Sequence, residues 1–362
     1  MFNINFPYIP NDKSGNELDN QVIKLLQNYY QKIVSMRFGK VIPEVVKYHI
    51  DTFLEQIRAK NIFIDFEKGN LVIVQSTAEQ ANGIIKLSSS DFLSKYWNFK
   101  IGGIELFTVR KQTNETDKNF FYHQEETANE LAKQICKQAK EYGYTFLSAN
   151  LPSTSVVEIR ALEKAGFYYA EGFLNMATLS QDFAYRPEDL LGTGLDSITK
   201  AEECDVEDIR KMYRDVFSLS GFPSRFVTDN FFNKGMAQDL YTNRFEEVIK
   251  SKNEFPYVLI GKIRGRIVGA IIVDIDIDLK NKTGVITNPQ SGMGLIVSPF
   301  YKRIGIGSAL ICRRQKHYGE QGVEYICFGA NIGNVPMIQN LSNHGLKPCG
   351  ALITLHKRLY NE

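Results

Sequence analysis

Apolar positions recur with a helical period from Glu17 to Val34, where Leu25, Leu26, Tyr29 and Ile33 share one face, and again from Pro43 to Ile57. The pattern then shortens. Apolar runs predict strands at Ile62–Asp65 and Asn70–Gln75, and Ile101–Arg110 reads as a longer buried strand. A polar stretch, Lys111–Lys118, breaks the pattern before a helix expected over Glu125–Tyr142 and a strand at Thr145–Ala149. Ser180–Ser197 carries Arg186-Pro187-Glu188 and Gly192-Thr193-Gly194, turn-forming sequences that mark it as a linker.

Beyond it the same plan returns. A strand near Ile198 leads to a helix over Val206–Val216 and a helical region reaching Lys250; strands follow at Tyr257–Ile263, Ile267–Asp276 and Gly294–Val297. A helix ending at Tyr318 and a strand at Tyr325–Phe328 complete the half. The echo reaches single residues: Ser148-Ala149-Asn150, a helix and Lys164-Ala165-Gly166-Phe167 match Gly329-Ala330-Asn331, a helix and Asn343-His344-Gly345-Leu346. The expected division is therefore a domain over 1–180, a linker over 181–196 and a second domain over 197–362.

Between the strand at Gly294–Val297 and its helix lies Ser298-Pro299-Phe300-Tyr301-Lys302-Arg303-Ile304-Gly305-Ile306-Gly307-Ser308. The first amides of a helix have no intrahelical acceptor and carry the positive end of its dipole, so such a loop suits a pyrophosphate. Glycines at 305 and 307 let phosphates approach the backbone and permit positive φ. A Walker loop requires Gly-Lys-Ser/Thr, whereas Gly307 is followed by Ser308 and Ala309. A dinucleotide fingerprint requires a third glycine, where Leu310 stands. What is left, basic-x-x-Gly-x-Gly after a strand and Val-x-Pro, resembles the acyl-CoA loop of the GNAT N-acetyltransferase superfamily. In the amino-terminal half the corresponding place is Lys111-Gln112-Thr113-Asn114, which has no such cradle.

Composition narrows the partners. With 43 Lys and Arg against 41 Asp and Glu the net charge is +2, which points away from nucleic-acid and membrane surfaces and toward small-molecule substrates. The five cysteines, Cys136, Cys204, Cys312, Cys327 and Cys349, lack metal-ligand spacing and read as reduced thiols, so no metal is expected. Met1–Pro10 lacks a basic segment followed by an apolar one, and a cytoplasmic protein is expected.

Residues 198–362 further resemble the two-domain sugar N-acyltransferases, of the dTDP-fucosamine acetyltransferase type and relatives that use 3-hydroxybutyryl-CoA. The likeness rests on Ser224-Arg225-Phe226 with Asp229, Leu240-Tyr241, Gly292–Leu310, Asn334-Val335-Pro336-Met337 and Leu352–Lys357. It implies an α/β (α+β) fold of tandem GNAT-like domains, each a mixed, mostly antiparallel sheet flanked by helices, with a degenerate amino-terminal copy. Acyl-CoA (acetyl-CoA or 3-hydroxybutyryl-CoA) would lie between splayed strands. Leu295, Ile296, Val297, Lys302, Arg303, Ile304, Gly305, Ile306, Gly307, Ser308, Asn331, Asn334 and Met337 are its expected contacts, Ala330 lining the far side with Asn331. The Leu295 amide would face the thioester oxygen. Asn334 serves equally as a helix N-cap.

Arg225, Phe226, Asp229 and Tyr241 are the candidate acceptor contacts; the alternative is a surface Arg225–Asp229 pair with both aromatics in the core. His344 and His356 are either bases or structural, and Arg313, Arg314 and Lys316 either reach the cofactor's 3′-phosphate or form a solvated helix face. The tyrosine acid of many relatives is replaced by Leu341, which leaves room for a longer acyl chain, and no base is identified. The implied reaction is direct attack by the amine of a nucleotide-linked amino sugar, for surface polysaccharide, by a monomer or homodimer. A non-catalytic acyl-CoA-binding module and an acyltransferase acting on another small amine are the alternatives.

Overall fold

The computed structural model describes residues 16–58, 64–65, 70–76, 81–110, 118–186, 192–220, 224–251, 254–288 and 294–359. In chain order the first half contains α1 (Asn16–Phe38), α2 (Pro43–Arg58), β1 (Ile64–Asp65), β2 (Asn70–Ser76), β3 (Ala81–Ser89), α3 (Asp91–Trp97) and β4 (Ile101–Val109). It continues with α4 (Lys118–Glu141), β5 (Phe146–Pro152), α5 (Val156–Lys164) and β6 (Tyr168–Leu179). The second half runs β7 (Ser197–Lys200), α6 (Val206–Ser220), α7 (Arg225–Thr228), α8 (Lys234–Lys250), β8 (Tyr257–Ile263), β9 (Arg266–Val273) and α9 (Ile277–Thr283). Last come β10 (Leu295–Val297), α10 (Ile306–Glu320), β11 (Tyr325–Asn331), α11 (Val335–Asn343) and β12 (Lys347–Arg358).

The chain forms two units: one of residues 1–36, 40–172 and 350–362, the other of 37–39 and 173–349. The 181–196 stretch read as a linker belongs to the second unit, and its residues 187–191 lie outside the described residues. In the first unit β1, β2, β3 and β4 pair antiparallel in sequence order. β4 then runs parallel to β5, but only from Ile101↔Phe146 to Ile104↔Ala149. Leu352–Arg358 of β12 pairs antiparallel with Phe146–Pro152, so the last strand of the chain closes the sheet of the first unit. Ala128, Leu131, Ala132, Ile135 and Ala139 line one face of α4 at helical spacing and pack on Phe107, Leu147 and Leu151.

The second unit has the reciprocal device. Phe173–Leu179 of β6, from the amino-terminal half, pairs antiparallel with Tyr325–Asn331 of β11. Its other sheet, β10-β9-β8-β7, is antiparallel throughout. Ile306 and Leu310 of α10 press onto β9 at Gly269, where a Cβ would stand 2.9 Å from Ile306 and 2.8 Å from Leu310. That glycine lets the start of α10 sit close against the strand pair β9–β10.

Candidate functional site

Antiparallel pairing alternates the direction of backbone groups. Gly294 O accepts from Ile272 N at 2.7 Å and Ser298 N donates to Val268 O at 2.8 Å, which turns the intervening Leu295 and Val297 amides away from β9. No strand pairs β10 on that side among the described residues. On β11, Cys327 N donates to Asn288 Oδ1 (2.8 Å) and Asn288 Nδ2 donates to Cys327 O (2.6 Å). Thr287 bridges Tyr325 in parallel just before it. Among the described residues Asn288 is thus the last tie between the two strand systems, and beyond it no pairing joins β10 to β11. By alternation the groups facing this gap belong to Leu295 and Val297 on one side and to Gly329 and Asn331 on the other. Ala330, expected to line the gap, instead pairs with Leu174 of β6 and buries its side chain in the core.

The glycine loop closes one end of the gap. Gly305 is the N-cap of α10 with φ 89° and ψ −1°, and Arg303 also has a positive φ, 64°. The first intrahelical bond is Ala309 N to Gly305 O at 2.9 Å, so the amides of Ile306, Gly307 and Ser308 point out of the helix end. Of the two glycines expected to use positive φ, only Gly305 does; Gly307 is helical. An added Cβ at Gly307 would lie 3.6 Å from Asn340 and Val297 and 3.8 Å from Leu295, that is, between β10 and α11. Lys302, Arg303 and Ile304 are exposed. Left-handed residues followed by a helix N-terminus make a concavity suited to an anion, so the loop and the open strand edges fit a pyrophosphate and an extended arm.

Other candidates occupy different ground. Asn334 caps α11, its side chain accepting from Met337 N at 3.3 Å, and Met337 packs against the core. Asn331 Oδ1 accepts from Gly333 N at 2.9 Å. Leu341 is fully buried among Ile306, Leu310 and Leu346, so its side chain does not open room along the gap. His344 is buried as well. Its ring stacks on Phe183 with centroids 5.1 Å apart, Nδ1 lies 2.9 Å from Ala184 O, and Nε2 lies 2.6 Å from Ser308 Oγ. This locks the first turn of α10 and withholds His344 from substrate. His356 is buried in the first unit against Phe146 at 4.8 Å, away from any base role beside the loop.

The four acceptor candidates divide. Phe226 is 3% and Tyr241 6% exposed; Phe226 packs edge-on against Phe232, and Tyr241 bonds the Ser224 hydroxyl through its own. Asp229 is buried and accepts from Phe231 N at 3.0 Å, while the half-buried Arg225 lies 4.8 Å over the Phe226 ring. Arg314 departs from both readings of it. It is buried, and its guanidinium lies 4.0 Å from the Phe328 ring centroid and 5.1 Å from that of Tyr318.

Asn288 and Gly329 escaped the sequence reading. The signal for the first was Asn288-Pro289 ending an apolar run, which resembles an ordinary turn. In the first unit β4 and β5 also part after Ile104, yet side chains engage β4 there. Tyr29 donates to Glu105 O at 2.8 Å, Gln124 donates to Arg110 O, and Val109 N donates to Glu158 Oε1 at 3.3 Å. Lys111–Asn114, the counterpart of the glycine loop, lies outside the described residues. Among the described residues no cluster of His, Cys, Asp and Glu could hold a metal, and no helix is long and apolar enough to cross a membrane.

Residues 210–341 match the model of the Acetyltransferase (GNAT) family. A GCN5-related N-acetyltransferase from Sphaerobacter thermophilus is similar over 94% of this chain and 92% of its own, with 11% identity and a TM-score of 0.52. A GCN5-related glucosamine N-acetyltransferase region of a fungal multi-domain β-N-acetylglucosaminidase is similar over 94% of this chain and 37% of its own, at 10% identity and a TM-score of 0.52. A tandem GNAT protein from the clavulanic acid biosynthesis pathway covers 95% of this chain and 97% of its own at 11% identity, with a TM-score of 0.47. No curated protein sequence matches the chain. The fold is α/β and of GNAT acetyltransferase type.

Proposed function

We propose that this protein is an acyl-CoA-dependent N-acyltransferase with its donor site in the second unit. The observation that carries the reading is the glycine-loop helix end set against a gap whose edges, at Leu295, Val297 and Gly329, have no strand partner among the described residues. Acyl-CoA, when bound, supplies an activated thioester. The amides of Ile306, Gly307 and Ser308 would receive its pyrophosphate, and the gap-facing groups of β10 and β11 its pantetheine arm, as an added strand. The Leu295 amide would bond the thioester oxygen and stabilise charge developing on it.

With His344 and His356 buried, neither moves a proton in this scheme. The amine attacks the thioester carbon, its excess proton passes to water, and the thiolate leaves; holding the partners together does most of the work. Sequence resemblance is what supports a nucleotide-linked amino sugar as acceptor. The fungal region named for glucosamine shares the fold, and fold alone does not carry substrate.

The test is calorimetry with CoA, followed by thiol release from acetyl-CoA across dTDP-amino sugars and other small amines. Binding of one CoA per chain with release on an amino sugar supports the reading. Binding without release from any amine favours a non-catalytic module, and no CoA binding overturns the site.

A further inference from the structure

Arg314 is a charge in an apolar stripe. Ile306, Leu310, Arg314 and Tyr318 recur every four residues along the face of α10 that meets the sheet. Leu310 packs at Gly269, the partner of Val297, and Asp274 N lies 3.5 Å from the Tyr318 hydroxyl at the other end of β9. Arg314 follows Leu310 and precedes Tyr318 on that face, and on β9 Ile271 pairs with Leu295. From there its head reaches across to Phe328, the first residue of β11 past the Asn288 tie. The guanidinium is therefore held against a side chain of β11, the strand that forms one edge of the gap.

It has no anion. Arg314 is 4% exposed, its Nε lacks a hydrogen-bond partner, and no carboxylate pairs with it among the described residues. The rings of Phe328 and Tyr318 return part of the lost hydration, but a buried charge with no carboxylate beside it still costs folding free energy. Such a cost is tolerated where a ligand supplies the missing charge.

Building on the donor reading above, we propose that Arg314 selects an acyl donor whose chain ends in a carboxylate, a dicarboxylic acid mono-thioester. With the thioester oxygen on the Leu295 amide, the acyl chain would extend past Phe328 and its carboxylate would pair with the guanidinium in a charge-assisted bond.

The test uses the full chain and two stable thioethers, carboxypropyl-CoA and the neutral pentyl-CoA, compared with CoA by calorimetry, and thermal melts without ligand. A buried charge-assisted bond predicts that carboxypropyl-CoA binds about tenfold to a hundredfold more tightly than pentyl-CoA. In Arg314→Met that ratio falls to about one, and the ligand-free variant melts no lower than the parent because an unpaired charge has been removed. Arg314→Gln gives the same collapse of the ratio should the methionine variant not fold. Equal binding of both thioethers while CoA binds overturns the proposal and spares the donor site. No binding of any CoA compound overturns both. A preference that survives in Arg314→Met, or a variant much less stable without ligand, also refutes the role.

Discussion

Replacing Gly305 and Gly307 by alanine, one at a time, separates the conformational from the spatial use of glycine in the loop. Gly305 sits at φ 89°, a left-handed conformation. Alanine there costs about 1–2 kcal/mol, offset by about 0.4–1 kcal/mol through restriction of the unfolded chain. The net expectation is destabilisation by about 1 kcal/mol. Gly307 is in the first turn of α10, where its Cβ would meet only ordinary contacts at 3.6 to 3.8 Å. Alanine there should stabilise by about 0.5–1 kcal/mol, the usual gain over glycine in a helix. The added methyl nevertheless points between β10 and α11, into the space a pantetheine arm would need. CoA affinity should therefore fall in both variants, by about tenfold for each charge-assisted bond lost. Urea unfolding paired with CoA calorimetry reads both quantities. Opposite shifts in stability with a shared loss of affinity are expected; unchanged affinity in Gly307→Ala would refute the cradle.

Three further outcomes follow from the packing. His344→Phe keeps the ring on Phe183 but removes the His344 bonds to the Ser308 hydroxyl and the Ala184 carbonyl, so urea unfolding should show a loss of about 1–3 kcal/mol, with a parent-like midpoint counting against the lock. Burial pushes the thiols of Cys136 and Cys327 up to about 11 and that of Cys349 to about 12, whereas Cys204 is exposed. Iodoacetamide at pH 8 should therefore label Cys204 first by mass spectrometry, and early labelling of Cys327 would contradict the packing. Because the folded thiols hold their protons longer than unfolded ones, their stabilisation is full below the unfolded pKa of about 8.5 and fades as pH rises toward 11 to 12. A fragment of residues 197–362 lacks the β6 partner of β11 and leaves Leu352–Arg358 without β5. It should aggregate and bind a hydrophobic dye, and a monomeric fragment with a sharp melt would refute the strand exchange.

Local periodicity made the helices and most strands of the second half readable, with errors of a few residues at the ends. β3, α3 and α9 were missed because Ala81–Ser89 interrupts its alternation with Gly83 and Lys86, and the two helices have only seven residues each. The exchange of β6 and β12 was beyond reach for a different reason. Which strand pairs with β5 depends on contacts some two hundred residues apart, and the turn-rich stretch at 181–196 suggested a cut that those pairings do not follow. Arg314 was misjudged by residue type, since arginine usually reaches water. Position carried the better signal: Arg314 is four residues from both Leu310 and Tyr318, on a stripe that can only face the sheet.

The two halves share an order of elements, and their difference lies in what meets the backbone where strands part. In the first unit β4 leaves β5 after Ile104, and Tyr29, Gln124 and the buried Glu158 take up Glu105 O, Arg110 O and Val109 N. Those groups are satisfied from within, so an arm entering there would have to break bonds that are already made. In the second unit Asn288 performs the same service only at Cys327, one residue before the gap opens. Beyond it the Leu295 and Val297 groups face away from β9, beside the start of α10 at Gly307. A strand edge without a partner is costly in a folded protein, and so is a buried guanidinium with no carboxylate beside it among the described residues. The proposed donor site in the second unit rests on the first of these features, and the proposed carboxylate at the acyl end rests on the second.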